Sequence, residues 1–288
     1  PALAGSVAAS AQPRHPQRAG RPVGQWAAAV LLRPPGYRLV VIVLLPPSET
    51  KRAGGDGPPL SLDRLHTPEL NPVRATLVDE VIALAADADA CRAALGLSAA
   101  QQAEIERTAA LRASPTLPAV ARYTGVLYDA LDIESLTAAQ SRRAHARLAV
   151  GSALFGLLRA DDPIPAYRLS ASSKLPGRPG LAVRWRPVLE PVLAGLAERE
   201  LIVDLRSGAY AGLGRIADAV RVDVLAEHPD GRRSVITHFN KAHKGRLARA
   251  LATSMSEPDD AAAVAAVARR AGMRVERNGN QLTVIVTP

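Results

Sequence analysis

The strongest hydrophobic signal in the chain is Leu39–Leu45 (LVVIVLL). It is continuous rather than alternating and rich in β-branched residues, the pattern of a strand buried on both faces. Pro46-Pro47-Ser48 ends it, and Gly54–Pro59 reads as a glycine-rich loop. Helical spacing then dominates from Pro68 to Leu111, with Ser98 as N-cap of a helix over Ala99–Ala110, and returns over Ser135–Arg147. Arg147–Val150 is predicted as a short strand feeding a polar loop that opens at Gly151-Ser152. Further on, residues 186–199 are predicted helical and Leu201–Leu205 a strand. Val220–Ala226 and Ser234–Phe239 read as a strand pair joined by His228–Gly231 (HPDG). Lys241–Thr253 is a basic helix in which Gly245 is expected as an interruption. Asp259–Ala271 is an Ala-rich helix, started by Ser256 or Asp259. A hairpin closed by Asn278-Gly279 joins Arg274–Glu276 to Leu282–Val286.

Strands interleaved with helices predict a mixed α/β (α+β) fold with a central mixed sheet flanked by helices. No repeat and no convincing linker divides the body, so 38–288 is expected to be one domain. Residues 1–37, rich in Ala, Pro, Gly and Arg, are expected to be a disordered tail.

Charge changes this picture less than its total suggests. The net charge is +9, but residues 1–38 hold five arginines and no acid, which leaves +4 on residues 39–288. The body is mildly basic, so a nucleic-acid partner does not follow from charge alone. The single cysteine, Cys91, rules out an intramolecular disulfide and reads as a small buried residue in a reducing compartment. No apolar run reaches the ~18 residues of a membrane span, so no membrane association is expected.

Four polar clusters carry candidate chemistry. Ser48-Glu49-Thr50-Lys51 follows the first strand directly, and ligands of α/β sheets bind beyond the carboxyl ends of strands. Its glycine spacing is not that of a phosphate-binding P-loop. Arg122–Asp129 places Gly125 between Tyr123 and Tyr128, which suggests a turn or a close backbone approach. Residues 149–169 bring Ser152, Arg159, Asp161, Asp162, Tyr167 and Arg168 into one stretch stiffened by Pro163 and Pro165. Its arginines are suited to gripping an anion, and its aspartates read as partners that position Arg159 and Arg168 rather than as metal ligands. Finally, no acid occurs between Gly231 and Ser256, while Lys241, Lys244 and Arg246 crowd the start of a helix, the arrangement of an anion site. No nucleophile elbow, paired-cysteine zinc site or dinucleotide fingerprint occurs, so neither cofactor nor metal is expected.

The segments LLPPSETK (44–51), YTGVLYDALD (123–132), GSALFGLLRADDPIPAYRL (151–169), VDLRSGAY (203–210) and HFNKAHKGRLAR (238–249) resemble, in this order, the YaaA-like family of peroxide-stress proteins. The resemblance implies a mixed α/β fold with a positively charged cleft, a cytoplasmic bacterial protein, and survival under hydrogen peroxide with less free iron and less damage to DNA and protein. It also implies DNA binding through a helix-hairpin-helix-like element, which falls here near Leu95-Gly96-Leu97-Ser98. On this basis the expected ligand site gathers cations from Lys51, Arg159, Arg168, Lys241, Lys244 and Arg246. Its hydrogen-bonding groups come from Ser48, Tyr123, Ser152, Tyr167, Ser207 and Tyr210. The expected partner is DNA or another phosphate-bearing ligand, bound by a monomer. The alternative is an enzyme acting on a nucleotide or other small anion, in which a lysine or tyrosine of shifted pKa acts as base.

Overall fold

The computed structural model describes residues 41–235 and 240–287. The expected tail over 1–37, the first residues of the predicted opening strand, and the stretch from Ile236 to Phe239 (including His238) lie outside the described residues.

The first half of the described chain runs β1 (Val41–Leu45), β2 (Gly57–Pro59), α1 (Asn71–Leu84), α2 (Ala88–Leu95), α3 (Gln102–Ala109), β3 (Pro115–Pro118), α4 (Ala119–Arg122) and α5 (Val126–Leu131). It continues with α6 (Ala138–Arg147), β4 (Leu148–Ser152), β5 (Gly156–Arg159), β6 (Pro163–Ile164), α7 (Leu181–Ala197) and β7 (Leu201–Asp204). The last part comprises α8 (Gly208–Ala211), β8 (Val220–Glu227), β9 (Arg233–Val235), α9 (Asn240–Thr253), α10 (Ala261–Arg270), β10 (Arg274–Asn278) and β11 (Gln281–Val286).

β1 is buried at all five positions, as its unbroken apolar run requires. It pairs in parallel with β4 on one side and β7 on the other, inside the order β10-β11-β8-β7-β1-β4-β5, with β9 beside β8. β7–β8 and β8–β11 are also parallel, whereas β4–β5, β8–β9 and β10–β11 are antiparallel, so the sheet is mixed as expected. Helices α6 and α9 pack on β1. The chain leaves β1 toward β4 and returns to β7 on the opposite side. That reversal opens a crevice at the carboxyl ends of the three strands, the usual ligand position of such sheets.

Several local expectations are corrected. Gly151-Ser152 is not the start of a loop but the end of β4, which turns through Ala153–Phe155 into β5. Gly151 is needed in the strand because a Cβ there would lie 2.8 Å from Arg206 Cδ. Gly57–Pro59, read as loop, adds a short strand to a second sheet, β2-β3-β6. The last hairpin turns at Gly279-Asn280, one residue later than predicted, with Asn278 paired to Gln281. The cap of α10 is Asp260, whose carboxylate accepts from the Ala263 N–H at 2.7 Å. Gly245 does not interrupt α9. The helix runs through it, and its missing side chain lets α5 approach, since a Cβ would stand 2.2 Å from Leu127 O.

Buried arginines tie the loops to the sheet. Arg74, with no exposed surface, donates to Phe155 O at 2.9 Å, Leu157 O at 2.7 Å and His66 O at 3.0 Å. Arg122 reaches Ile164 O at 3.1 Å and Gly54 O at 2.8 Å. Burial lowers both guanidinium pKa values to about 10, which still leaves them charged at neutral pH. Each side chain satisfies several backbone carbonyls at once.

The α5–α9 contact gives a direct test. Alanine favours an exposed helix interior over glycine by ~1 kcal/mol. At Gly245 the clash with the Leu127 carbonyl outweighs that gain, and Gly245→Ala is expected to destabilise the protein by about 1–3 kcal/mol in urea unfolding.

Candidate functional site

Pro46-Pro47 turns the chain away from the sheet at the end of β1, and Lys51 comes back against Tyr123 through an isolated antiparallel bridge. The Lys51 amine sits 4.2 Å from the centre of the Tyr167 ring and 5.3 Å from that of Tyr123. Its Nζ donates to Ser48 O at 2.9 Å, and among the described residues it has no ion-pair partner. Burial lowers its pKa to about 7, with nearby Glu49 pulling it up and Arg168 pushing it further down. At neutral pH a large fraction of this amine is therefore uncharged.

The rings around it are fixed by their hydroxyls. Tyr167 OH lies 2.7 Å from Ser152 Oγ and 2.7 Å from Tyr123 OH, and Ser152 Oγ accepts from the Phe155 N–H at 3.0 Å. Tyr123 stacks on Tyr128 with ring centres 5.5 Å apart, and Tyr128 OH donates to Pro46 O at 2.9 Å. Desolvation raises the pKa of Tyr123, Tyr128 and Tyr167 well above the ordinary phenol value, so the chain of hydroxyls is neutral. Tyr210 is pushed up to about 12, chiefly by burial. All four tyrosines of the described residues thus meet at this end of the sheet. Gly125 adopts φ +96°, and a Cβ there would meet Thr50 Oγ1 at 3.3 Å and Ser48 Oγ at 3.4 Å, the close approach its position between the tyrosines suggested.

Arg168 closes one side. Its guanidinium pairs with Glu49 at 3.0 Å, while its Nε is buried without a hydrogen-bond partner among the described residues. Across the crevice, Arg206 is held by Asp204 at 2.8 Å and by Gly214 O at 2.9 Å. Lys244 donates to Leu205 O at 3.1 Å, and burial lowers its pKa.

The predicted residues therefore separate into groups. Ser48, Lys51, Tyr123, Ser152, Tyr167, Arg168 and Tyr210 come together. Lys244 reaches the same end of the sheet from α9. Ser207 caps α8 beside it, exposed and without a side-chain cap bond. Lys241 is exposed on the first turn of α9 and has no hydrogen-bond or ion-pair partner among the described residues. Arg246 projects about 140° around the helix from Lys241. It lines a separate cavity of about 480 Å³ with His243, Arg249 and Arg274. Arg159 is not brought to the group: its guanidinium donates to Ala146 O, ahead of β4.

The aspartates of residues 149–169 also differ from expectation. Asp162 does not touch either guanidinium. Fully buried, it accepts from the Arg159 backbone N–H at 2.8 Å, the His66 N–H at 2.8 Å and His66 Nδ1 at 2.7 Å. Asp161 lies 4.0 Å from the same imidazole. Arg168 finds Glu49 instead. Glu49, Tyr128 and Arg206 were not singled out as site residues. Glu49 and Tyr128 lie inside quoted motifs, so adjacency was the available signal. Arg206 lies inside the quoted VDLRSGAY motif as well, but only the fold shows that Gly151 makes room for it.

With this geometry in view, the comparisons with known proteins decide the family. A family profile described as "Peroxide stress protein YaaA" matches residues 41–274. The chain belongs to the YaaA peroxide stress protein family. It is similar to a UPF0246 protein of Corynebacterium efficiens, 49% identical over 253 residues that cover 85% of this chain and 100% of the relative. A UPF0246 protein of Streptomyces coelicolor is 41% identical over 241 residues, 82% of this chain and 92% of the relative. The YaaA profile covers the whole of the crevice described above. It ends within β10, before the turn of the final hairpin.

The His66–Asp162 pair sets a pH dependence. The hydrogen bond to Asp162 raises the folded pKa of His66 above its ordinary value. Its stabilising contribution is fully present below the unfolded pKa of ~6.5 and is lost as pH rises through the folded value. Urea unfolding is expected to show wild-type stability falling between acidic and mildly alkaline pH. His66→Ala should flatten that change. Asp162→Ala, which leaves three N–H donors without an acceptor, should cost about 2–4 kcal/mol.

Proposed function

We propose that this chain protects its cell against hydrogen peroxide by binding a small phosphate-bearing ligand in the crevice between Lys51, Arg168 and Tyr210. The observation that carries this reading is the buried Arg168 Nε, a charged donor with no acceptor among the described residues, in a crevice whose amine, Lys51, forms no ion pair among them. A buried unsatisfied donor costs about 1–3 kcal/mol, and an anion would remove that cost. Placement at the carboxyl ends of parallel strands agrees with this use, as do the hydroxyls of Ser48 and Tyr210. The family's printed description supplies the peroxide context. We place the activity in the cytoplasm, in keeping with a single, buried cysteine.

DNA is a weaker fit for the ligand. Arg159, Arg206, Lys244 and Arg249 direct their donors to backbone carbonyls, and the exposed cations Lys241 and Arg246 face different sides of α9. The enzymatic reading is favoured by one observation of its own. An amine brought to about 7 is poised to accept a proton, or to attack, at neutral pH.

Pyrophosphate binding measured by titration calorimetry tests the reading. The wild type is expected to bind, and Arg168→Ala to weaken binding about ten-fold or more. In a host lacking its own copy, the wild type should restore survival under peroxide, while Arg168→Ala at equal abundance should not. Duplex DNA that binds with log K falling by ~0.9 per phosphate neutralised as salt rises, while pyrophosphate does not bind, would instead favour an open nucleic-acid surface.

A further inference from the structure

The 36 cationic residues of this chain comprise 32 arginines and four lysines, Lys51, Lys174, Lys241 and Lys244. The most deeply buried charges that satisfy carbonyls or a carboxylate are arginines, Arg74, Arg122, Arg147 and Arg206, while the partly buried Lys244 donates to Leu205 O. The one cation enclosed by the tyrosine cluster is a lysine. An arginine there would serve an anion as well or better, because its planar fork grips oxyanions and stacks on aromatic rings. What a lysine offers and arginine does not is an amine that can lose its proton and attack carbon.

We propose that Lys51 is a nucleophile that captures a small anionic carbonyl compound as an imine, the carbonyl lying next to Lys51 Nζ and the anionic group next to Arg168. The proposal deepens the anion-site reading and rests on it for the class of substrate.

The geometry supports each part. Lys51 Nζ makes one hydrogen bond, to Ser48 O, and otherwise faces the rings of Tyr167 and Tyr123. Such a surface favours the neutral amine by excluding water, and burial lowers the pKa accordingly. Glu49, the nearest acid by its influence on the amine, is engaged by Arg168 at 3.0 Å rather than by Lys51. The Arg168 Nε–H has no acceptor among the described residues, and a carboxylate or phosphate entering beside it would supply one. The neutral Tyr167, Ser152 and Tyr123 hydroxyls are linked at 2.7 Å, so a proton can be handed along them without creating a buried phenolate.

The chemistry balances without a further reagent. The amine lone pair attacks the carbonyl carbon, forming a C–N bond, and one amine proton passes to the carbonyl oxygen. The resulting hydroxyl takes a second proton and leaves as water while C=N forms. The net change is aldehyde or ketone plus amine to imine plus water.

The test uses the wild-type protein with glyoxylate as the carboxylate probe and glycolaldehyde phosphate as the phosphate probe. Each is incubated at pH 7 with cyanoborohydride, and the reduced adducts are mapped by peptide mass spectrometry. An amine of pKa about 7 is roughly a thousand-fold richer in the neutral form at pH 7 than one of ~10.4. Allowing for its lower intrinsic reactivity, Lys51 is expected to be labelled at least about ten-fold more than exposed Lys174. Labelling should fade as pH drops below 6, and the preferred probe distinguishes carboxylate from phosphate. Labelling of Lys51 no greater than that of Lys174 overturns the proposal. Equal labelling of Lys51 by acetaldehyde, with no protection by pyrophosphate, removes the anion site and the reading built on it while the nucleophile stands. Because the map compares lysines within one folded protein, the result does not depend on a variant folding.

Discussion

The enclosure of one amine by two phenol rings is the constraint on which this end of the molecule depends. β1 delivers Pro46–Lys51 to the crevice, and the Lys51–Tyr123 bridge returns it to the body. Tyr167 OH holds Ser152 and Tyr123 together, so β4, the 163–169 segment and the chain entering α5 meet at one oxygen. The rings so fixed keep water from Lys51 and thereby set its protonation. Loss of the Tyr167 hydroxyl would leave two buried hydroxyls short of a partner and loosen both walls at once.

The arginines do a different job. Arg74, Arg122, Arg147 and Arg206 are structural ties that satisfy carbonyls where loops cross the sheet ends. This use commits several guanidiniums to the fold rather than to a ligand. It also changes the meaning of the arginine-rich motifs. Arg159 and Arg168 stand nine residues apart in one motif, yet Arg159 braces the start of β4 and only Arg168 faces the crevice. Arg246 belongs to another cavity altogether.

Much of the fold was legible in the sequence because its signals are local. The unbroken apolar run of β1, the Ser98 N-cap and the HPDG turn each act over a few residues and are found where expected. Two glycines mislead because their reasons are tertiary: Gly245 and Gly151 look like breaks until Leu127 O and the Arg206 side chain are placed against them. The same holds for Asp162, whose partner His66 lies 96 positions away in the chain. Within the site, the residue types and the strand-end position of Ser48–Lys51 were readable. The enclosure of Lys51 was not, since it takes a tyrosine from each of two distant motifs.

The site turns on a Lys51 amine that is about half neutral near pH 7. With only four lysines in the chain, a carbon-13 NMR titration of labelled lysine side chains resolves each amine. The account predicts one resonance titrating near 7, assigned to Lys51 by its loss in Lys51→Arg. If no lysine resonance titrates near 7, the tyrosine enclosure does not set the charge of Lys51 and the account of this site is contradicted.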